Sequence, residues 1–98
     1  MTYSTKVATP RVYNSVLDSI GNTPLVQIRQ TQEVISAKVF GKVEAYNPGH
    51  SAKDRVALYM VEKAEREGKI KPNATIIEAT SGNTGFSLAM VCSLKGYK

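Results

Sequence analysis

Six consecutive small or polar residues, Thr80 to Gly85, stand directly before a segment whose apolar residues have helical spacing. The first amides of a helix lack partners within it, and the aligned peptide dipoles place about half a positive charge at that end. The loop could therefore hold a carboxylate or a phosphate, with its hydroxyl groups and the amide of Asn83 as further donors. Serine, threonine and asparagine are also the usual N-caps, so capping alone remains an alternative. The glycine spacing matches neither the dinucleotide fingerprint nor the phosphate loop.

A second loop, Asn47 to Ser51, leads into another predicted helix and places Lys53 in its first turn. Cations are favoured at the opposite end of a helix, so the dipole here disfavours the ammonium and favours the neutral amine. A neutral amine is the form in which a lysine attacks a carbonyl group to form a Schiff base. Lys53 is nevertheless one of nine lysines and precedes Asp54. Its position makes Lys53 a candidate nucleophile. The alternative is that Lys53 is an ordinary solvated lysine.

Strands and helices must hold these two loops in place. The pattern predicts a short helix from Asn14 to Ile20, strands at Leu25 to Ile28 and Ala37 to Val43, a helix from Ala52 that stops at Gly68, a buried parallel strand at Thr75 to Ile77, and a helix from Phe86 to Leu94 that ends at Gly96. Strands that alternate with helices in this order predict an α/β fold with parallel strands.

The helix that begins at Ala52 has the strongest local signals. Ser51 and Asp54 have the S-x-x-D spacing of a capping box, in which the acidic side chain bonds back to the amide of the cap residue. An apolar stripe is predicted to face the core, formed by Val56, Met60, Val61 and Ala64. In the following helix, Cys92 lies on the apolar side and is predicted to be a core residue.

The composition is that of one small globular unit. The 98 residues carry 13 Lys+Arg and 8 Asp+Glu, a formal net charge of +5, with 42% hydrophobic residues. Acidic and basic residues alternate between Glu62 and Glu67, which is typical of a solvated helix face. No run of basic residues or nucleic-acid-binding motif accompanies the charge, so we expect no nucleic-acid partner.

Several other classes are excluded on the same grounds. The longest apolar run, Val56 to Val61, is far shorter than the roughly 20 residues that span a bilayer. Residues 1–10 lack the basic start and apolar stretch of a secretory signal, so we expect a cytoplasmic protein. Cys92 is the single cysteine, which excludes an internal disulfide and a zinc site with several thiolates, and no metal site is predicted.

Three motifs now suggest a family. The stretches NPGHSAKDR, from Asn47 to Arg55, and EATSGNTG, from Glu78 to Gly85, resemble the paired signatures of the cysteine synthase and cystathionine β-synthase family of pyridoxal-phosphate enzymes. IGNTPLVQI, from Ile20 to Ile28, resembles the opening segment of that family. Two positions depart from its pattern, since His50 replaces a small residue and Ala79 replaces a common proline.

The resemblance implies a fold and a domain organisation. It implies a partial three-layer α/β fold with parallel strands, similar to the amino-terminal part of a tryptophan synthase β-like, fold type II enzyme. Residues 1–12 would be a flexible lead-in, and residues 13–98 the amino-terminal portion of a pyridoxal-phosphate-dependent catalytic domain that is truncated here. In the complete enzyme, we expect a homodimer.

The resemblance also implies site residues. Lys53 matches the lysine that holds pyridoxal 5′-phosphate and later acts as the base on the substrate α-carbon. Asn83 matches the asparagine that bonds the ring oxygen of the cofactor. The loop that binds the substrate α-carboxylate is matched by Thr80, Ser81, Gly82, Asn83 and Thr84. The implied reaction is β-replacement, with O-acetylserine and sulfide giving cysteine; the alternative is a cystathionine β-synthase that uses serine and homocysteine.

The implied enzyme is longer than this chain. The glycine-rich loop for the cofactor phosphate and the hydroxyl residue that meets the pyridine nitrogen have no counterpart within the 98 residues, so we expect the polypeptide alone to be inactive. Two other function classes stay open. One is a non-catalytic short product that binds a partner through an unpaired sheet edge. The other is a nucleotide-binding half-domain in which the Thr80 to Gly85 loop holds phosphate.

Overall fold

The computed structural model describes residues 11–98, except for the side chains of residues 31 and 32. Its elements are a 3₁₀ turn at Val16–Ser19, strand β1 at Leu25–Gln27, a 3₁₀ turn at Gln30–Glu33, strand β2 at Phe40–Lys42, a 3₁₀ turn at Glu44–Tyr46, helix α1 at Lys53–Arg66 and helix α2 at Asn83–Lys95. The predicted lead-in lies outside the described residues except for Arg11 and Val12, which are exposed and outside any helix or strand.

Strands β1 and β2 form a two-stranded antiparallel sheet. Val26 lies opposite Gly41, and the pairing continues beyond the strands where the Ile28 N–H donates to the Val39 carbonyl at 2.9 Å. Both strands were predicted, although each is shorter than its apolar pattern. Their antiparallel pairing differs from the parallel arrangement expected of the fold, since the connection between them contains only a 3₁₀ turn and no crossover helix.

The predicted parallel strand at Thr75 to Ile77 is wrong as a regular element, because this segment belongs to no sheet ladder among the described residues. The segment nevertheless makes two backbone hydrogen bonds with Lys98. The Lys98 N–H donates to the Ala74 carbonyl at 3.0 Å, and the Ile76 N–H donates to the Lys98 carbonyl at 2.7 Å. Two bonds from one residue to positions on either side of Thr75 are the parallel pattern. The described chain therefore holds one parallel bridge in place of the expected parallel sheet.

The core lies between the two helices. Its buried apolar side chains are Ala57 and Val61 of α1 and Leu88, Val91 and Cys92 of α2. Burial also raises the pKa of the Cys92 thiol. The prediction for Cys92 is thus confirmed, whereas that for Val56 and Met60 is wrong, since these side chains are 43% and 44% exposed. The buried stripe of α1 is rotated from the predicted one because Asp54 lies on it.

The two helices run in the same direction. Near their amino-terminal ends, the Ser87 hydroxyl donates to the Asp54 carboxylate at 2.6 Å. Toward their carboxyl ends, the Lys95 ammonium donates to the Glu65 carboxylate at 2.8 Å. The amino termini of α1 and α2 therefore lie side by side at one end of the helix pair.

Both helix stops follow the sequence. Gly68 and Gly96 have φ angles of 68° and 82°, in the left-handed region that glycine enters without a Cβ penalty. The short helix predicted from Asn14 to Ile20 is only one 3₁₀ turn, which Ser15 and Asp18 close as a capping box.

Candidate active site

The two predicted cofactor residues open the two helices. Lys53 is the first residue of α1 and Asn83 is the first residue of α2. Because the helices are parallel and joined near their starts, both residues lie at the same end of the helix pair. Helix α2 begins at Asn83 rather than at Phe86 as predicted, so Asn83 and Thr84 belong to its first turn.

The loop before α2 is shaped by Thr80. Its hydroxyl oxygen accepts hydrogen bonds from the Gly82 and Gly85 N–H groups, both at 3.2 Å. A Cβ on Gly85 would stand 2.1 Å from the Thr80 methyl group, so a side chain there would displace Thr80. Thr80 therefore organises the loop, because its hydroxyl oxygen accepts from two backbone N–H groups.

The remaining polar groups of this end are open. Across the described residues, no hydrogen bond or ion pair involves the side chains of Lys53, Ser81, Asn83 or Thr84. The backbone N–H groups of Asn83 and Thr84 likewise have no partner in that part of the chain. Among the first amides of α2, only that of Gly85 donates to the Thr80 hydroxyl, so capping does not account for the other donors. An amine and several hydrogen-bond donors are left available to a ligand at one helix end.

Asn47 fixes the loop that leads to Lys53. It is 1% exposed, and its side-chain carbonyl accepts from the Gly21 N–H at 2.8 Å. Its amide group donates to the carbonyls of Glu44 and Ser51, both at 3.0 Å. The Asn47 side chain thus links the IGNTPLVQI motif, at Gly21, to the NPGHSAKDR motif.

A second link between these motifs is electrostatic. The Arg55 guanidinium donates to the Gly21 carbonyl at 3.0 Å and to the Thr23 hydroxyl at 3.1 Å, and it forms an ion pair with Glu44. The Thr23 hydroxyl donates to the same carboxylate at 2.6 Å. Hydrogen bonds from Arg55, and then from Thr23, lower the pKa of Glu44 to about 2.

Asp54 does not close the predicted capping box. Its carboxylate accepts from the Gly49 N–H at 2.6 Å rather than from the Ser51 N–H, and its other oxygen accepts from Ser87. The Ser51 hydroxyl does accept from the Lys53 N–H at 3.2 Å. The capping prediction is wrong for Asp54 because a long-range donor on α2 competes for the carboxylate. Its spacing to Ser51 gave no signal of that donor.

His50 adopts a φ of 64° and is exposed, with its Nδ1 3.4 Å from the Ala45 carbonyl oxygen. This backbone region is uncommon for residues other than glycine. The conformation gives a physical reason why a residue without a large side chain suits this position.

An open cleft of about 590 Å³ runs beside the loop. It is lined by Thr80, Ser81 and Gly82 at the loop and by Ile76, Phe86 and Cys92 elsewhere, but not by Lys53 or Asn83. The cleft therefore covers part of the predicted substrate loop and does not unite it with the lysine. Within residues 11–98, no group of three potential metal ligands is assembled, and neither helix is long and apolar enough to cross a membrane.

Residues 16–98 match the family model described as pyridoxal-phosphate dependent enzyme. The chain belongs to this pyridoxal-phosphate-dependent enzyme family. The match includes all three motifs, and it favours the pyridoxal-phosphate interpretation of the Thr80 to Gly85 loop over a nucleotide-binding half-domain.

Several individual proteins of this family are similar to the chain in sequence or in structure. Cysteine synthase of Staphylococcus aureus (strain Mu50) is 56% identical over 85 residues, which make up 87% of this chain and 27% of that enzyme. The N-(2-amino-2-carboxyethyl)-L-glutamate synthase of Cupriavidus metallidurans is 52% identical over 87 residues, 89% of this chain and 26% of the enzyme. The crystal structure of cysteine synthase from Entamoeba histolytica superimposes with a TM-score of 0.88 at 36% identity, covering 100% of this chain and 30% of that one.

The chain therefore spans between a quarter and a third of the length of these relatives. Its fold is that of the amino-terminal part of the cysteine synthase structure. The structural match extends to the segment after α2, where the single parallel bridge forms.

The residues at the helix ends fit the family cofactor. Lys53 offers an exposed amine that has no partner within residues 11–98, which is the group that a carbonyl cofactor requires. Asn83 offers a side-chain amide without a protein partner in the described chain, and the first amides of α2 suit a carboxylate. The donor set is thus compatible with pyridoxal phosphate and an amino-acid substrate.

Proposed function

We propose that this chain is the lysine-bearing portion of a pyridoxal-phosphate enzyme that makes cysteine from O-acetylserine and sulfide by β-replacement. The observation that carries the proposal is the contrast at the paired helix ends. Among the described residues, the side chains of Asn47 and Asp54 are hydrogen-bonded within the protein, whereas those of Lys53 and Asn83 are not. Groups kept open beside a rigid framework are what a binding site needs.

Each residue has a role in the proposal. Lys53 holds the cofactor through its amine and moves the proton of the substrate α-carbon. Asn83 orients the cofactor by a hydrogen bond to its ring oxygen. The substrate carboxylate binds at the Thr80 to Thr84 loop, on the open amides of Asn83 and Thr84 and on the Ser81 hydroxyl, with Thr80 and Gly82 shaping the loop. Pyridoxal phosphate, when bound, supplies the electron sink for the α-carbon.

The choice of nucleophile is the less constrained part of the proposal. A cysteine synthase and an enzyme named for a glutamate-containing product are 56% and 52% identical to the same portion of sequence. Similar amino-terminal portions thus accompany different products. We therefore assign the binding of the amino-acid substrate to this portion and leave cystathionine β-synthase, with serine and homocysteine, as the alternative.

Borohydride reduction in the presence of pyridoxal phosphate tests the role of Lys53. We expect mass mapping to find the label on Lys53 in preference to Lys63, an exposed lysine of the same helix whose nearest acidic partner is 3.8 Å away. Lys53→Ala should remove the preferred label, while the matched Lys63→Ala should leave it in place. Equal labelling of the two lysines in the unmutated chain would reject the assignment.

Activity is tested in a chimera in which residues 16–98 replace the matching portion of the S. aureus cysteine synthase. We expect cysteine formation from O-acetylserine and sulfide, and Lys53→Ala should lower kcat by about a thousandfold or more, the scale of losing a positioned base. Replacing the substrates with serine and homocysteine measures the alternative directly. An active chimera that is insensitive to Lys53→Ala would contradict the proposal.

One observation favours a second candidate function, the non-catalytic partner-binding product. Ile77 is 89% exposed on an extended segment that, among residues 11–98, is bridged only to Lys98. An apolar side chain on a largely unpaired edge is suited to adding a strand from another polypeptide. The partner in this case would be a relative of the same family.

A further inference from the structure

Asp54 is the most deeply buried charged side chain among the described residues. Its relative exposure is 0%, and its two oxygens accept one hydrogen bond each, at 2.6 Å, from the Gly49 N–H and the Ser87 hydroxyl. Within residues 11–98 it forms no ion pair with a cation. A buried carboxylate without a counter-ion is expensive to desolvate, and an apolar side chain would fill the same space at lower free energy. Packing therefore does not explain its presence.

The partners of Asp54 lie on the two elements that form the candidate site. Gly49 belongs to the loop before Lys53, and Lys53 is the residue that precedes Asp54. Ser87 lies one helical turn after Asn83 and is itself 0% exposed. A single carboxylate is thus bonded to the lysine loop on one side and to the helix of the substrate loop on the other.

The fit around this carboxylate is close. A Cβ on Gly49 would lie 2.1 Å from one Asp54 oxygen and 2.9 Å from the other. The loop backbone therefore touches the carboxylate, and a sideways movement of the loop is blocked as long as Asp54 is held by Ser87. Short bonds to a charged acceptor are stronger than neutral ones, which adds to the rigidity.

We propose that Asp54 is a positioning residue that fixes Lys53 relative to Asn83 by bonding Gly49 and Ser87 at once. The proposal rests on the proposed function, because the lysine and the loop have to meet one ligand. Asp54 itself touches neither the substrate nor the cofactor. Its effect on the site passes through the geometry of the Lys53 turn.

Ser87→Ala and Asp54→Asn separate this role from a general contribution to stability. Ser87→Ala removes the donor on α2 and leaves one buried oxygen without a partner. Asp54→Asn is the conservative variant, because an asparagine carbonyl can accept from Gly49 while its amide donates to the Ser87 oxygen. Val91→Ala is the matched control, since Val91 is equally buried on α2 but does not contact Asp54 in any hydrogen bond.

The first readout is amide hydrogen exchange of Gly49 relative to that of Val61 in the core of α1. Removing a hydrogen bond to a charged group raises local opening by about tenfold or more. For Ser87→Ala we expect this increase in the ratio of the Gly49 exchange rate to the Val61 exchange rate. For Asp54→Asn we expect a ratio close to that of the unmutated chain. For Val91→Ala we expect the same, because the lost stability speeds the exchange of both amides together.

The second readout is the ratio of pyridoxal-phosphate label on Lys53 to that on Lys63 after borohydride reduction. Ser87→Ala should lower this labelling ratio. Val91→Ala should preserve it, even when urea unfolding shows that both variants have lost the same free energy of unfolding. An unchanged Gly49 exchange ratio, or an unchanged labelling ratio in Ser87→Ala, overturns the positioning role. If the unmutated chain shows no preference for Lys53, the proposed function fails, and the Gly49 exchange ratio then decides by itself whether Asp54 fixes the turn.

Discussion

Gly49→Ala adds one methyl group against the carboxylate of Asp54. Gly49 is not among the glycines with a positive φ, so its backbone allows an alanine. The expected effect is therefore purely steric. The new Cβ would lie 2.1 Å from an Asp54 oxygen, whereas real Cβ atoms essentially never approach another atom to within 3.0 Å.

The size of the effect follows from the hydrogen bonds. The carboxylate and the loop must separate by about 1 Å, which stretches a 2.6 Å bond beyond hydrogen-bonding range. Losing one or both bonds to a buried charged group costs about 2–4 kcal/mol. This is a large part of the stability of a small domain, roughly 5–15 kcal/mol, and the core here has only five buried apolar side chains among the described residues.

Urea unfolding of the 98-residue chain measures the loss, with Gly41→Ala as the control. A Cβ on Gly41 would meet only the end of the Ile28 side chain, at 3.4 Å, which is ordinary contact. Both variants lose the same flexibility of glycine in the unfolded chain, so this effect cancels between them. We expect Gly49→Ala to be less stable than Gly41→Ala by at least about 2 kcal/mol. Equal stability of the two variants would show that Asp54 does not confine the loop.

Two further predictions follow from named contacts. Folding lowers the pKa of Glu44 from 4.5 to about 2, so its contribution to stability is present above pH 4.5 and is lost as the pH falls toward 2. The stability difference between the unmutated chain and Glu44→Gln should shrink over that range in urea titrations, and a constant difference would contradict the pKa shift. If Ile77 carries partner binding, Ile77→Lys should abolish co-elution with the S. aureus cysteine synthase in size-exclusion chromatography, whereas Leu94→Lys, at a half-exposed position on α2, should retain it. No co-elution of the unmutated chain, or equal loss in both variants, would reject this second function.

The sequence predicts the elements whose signals are local. Gly68 and Gly96 mark the ends of helices because a left-handed residue is needed there, and both have positive φ angles. The paired strands around Val26 and Gly41 follow from short apolar runs. The direction of pairing is not a local property, because it depends on how the chain returns between the strands.

The part that the sequence misses consists of long-range bonds. Asp54 has the spacing of a capping residue, but its carboxylate accepts hydrogen bonds from Gly49 and from Ser87, which lies 33 positions later in the chain. Because Asp54 is buried, the buried face of α1 contains Ala57 and not Val56. A helical apolar pattern assumes that polar residues face solvent, and a buried carboxylate breaks that assumption.

The candidate site has two kinds of polar residue, and motif spacing alone does not separate them. In NPGHSAKDR, the side chains of Asn47, Asp54 and Arg55 bond within the protein, while the Lys53 side chain between them has no partner in the part of the chain that the structure describes. A carboxylate or amide that is satisfied by the protein has little capacity left for a ligand, and an amine without a partner is free to react. Bonding within the protein thus limits the candidates for chemistry in this motif and assigns its neighbours to holding the lysine in place.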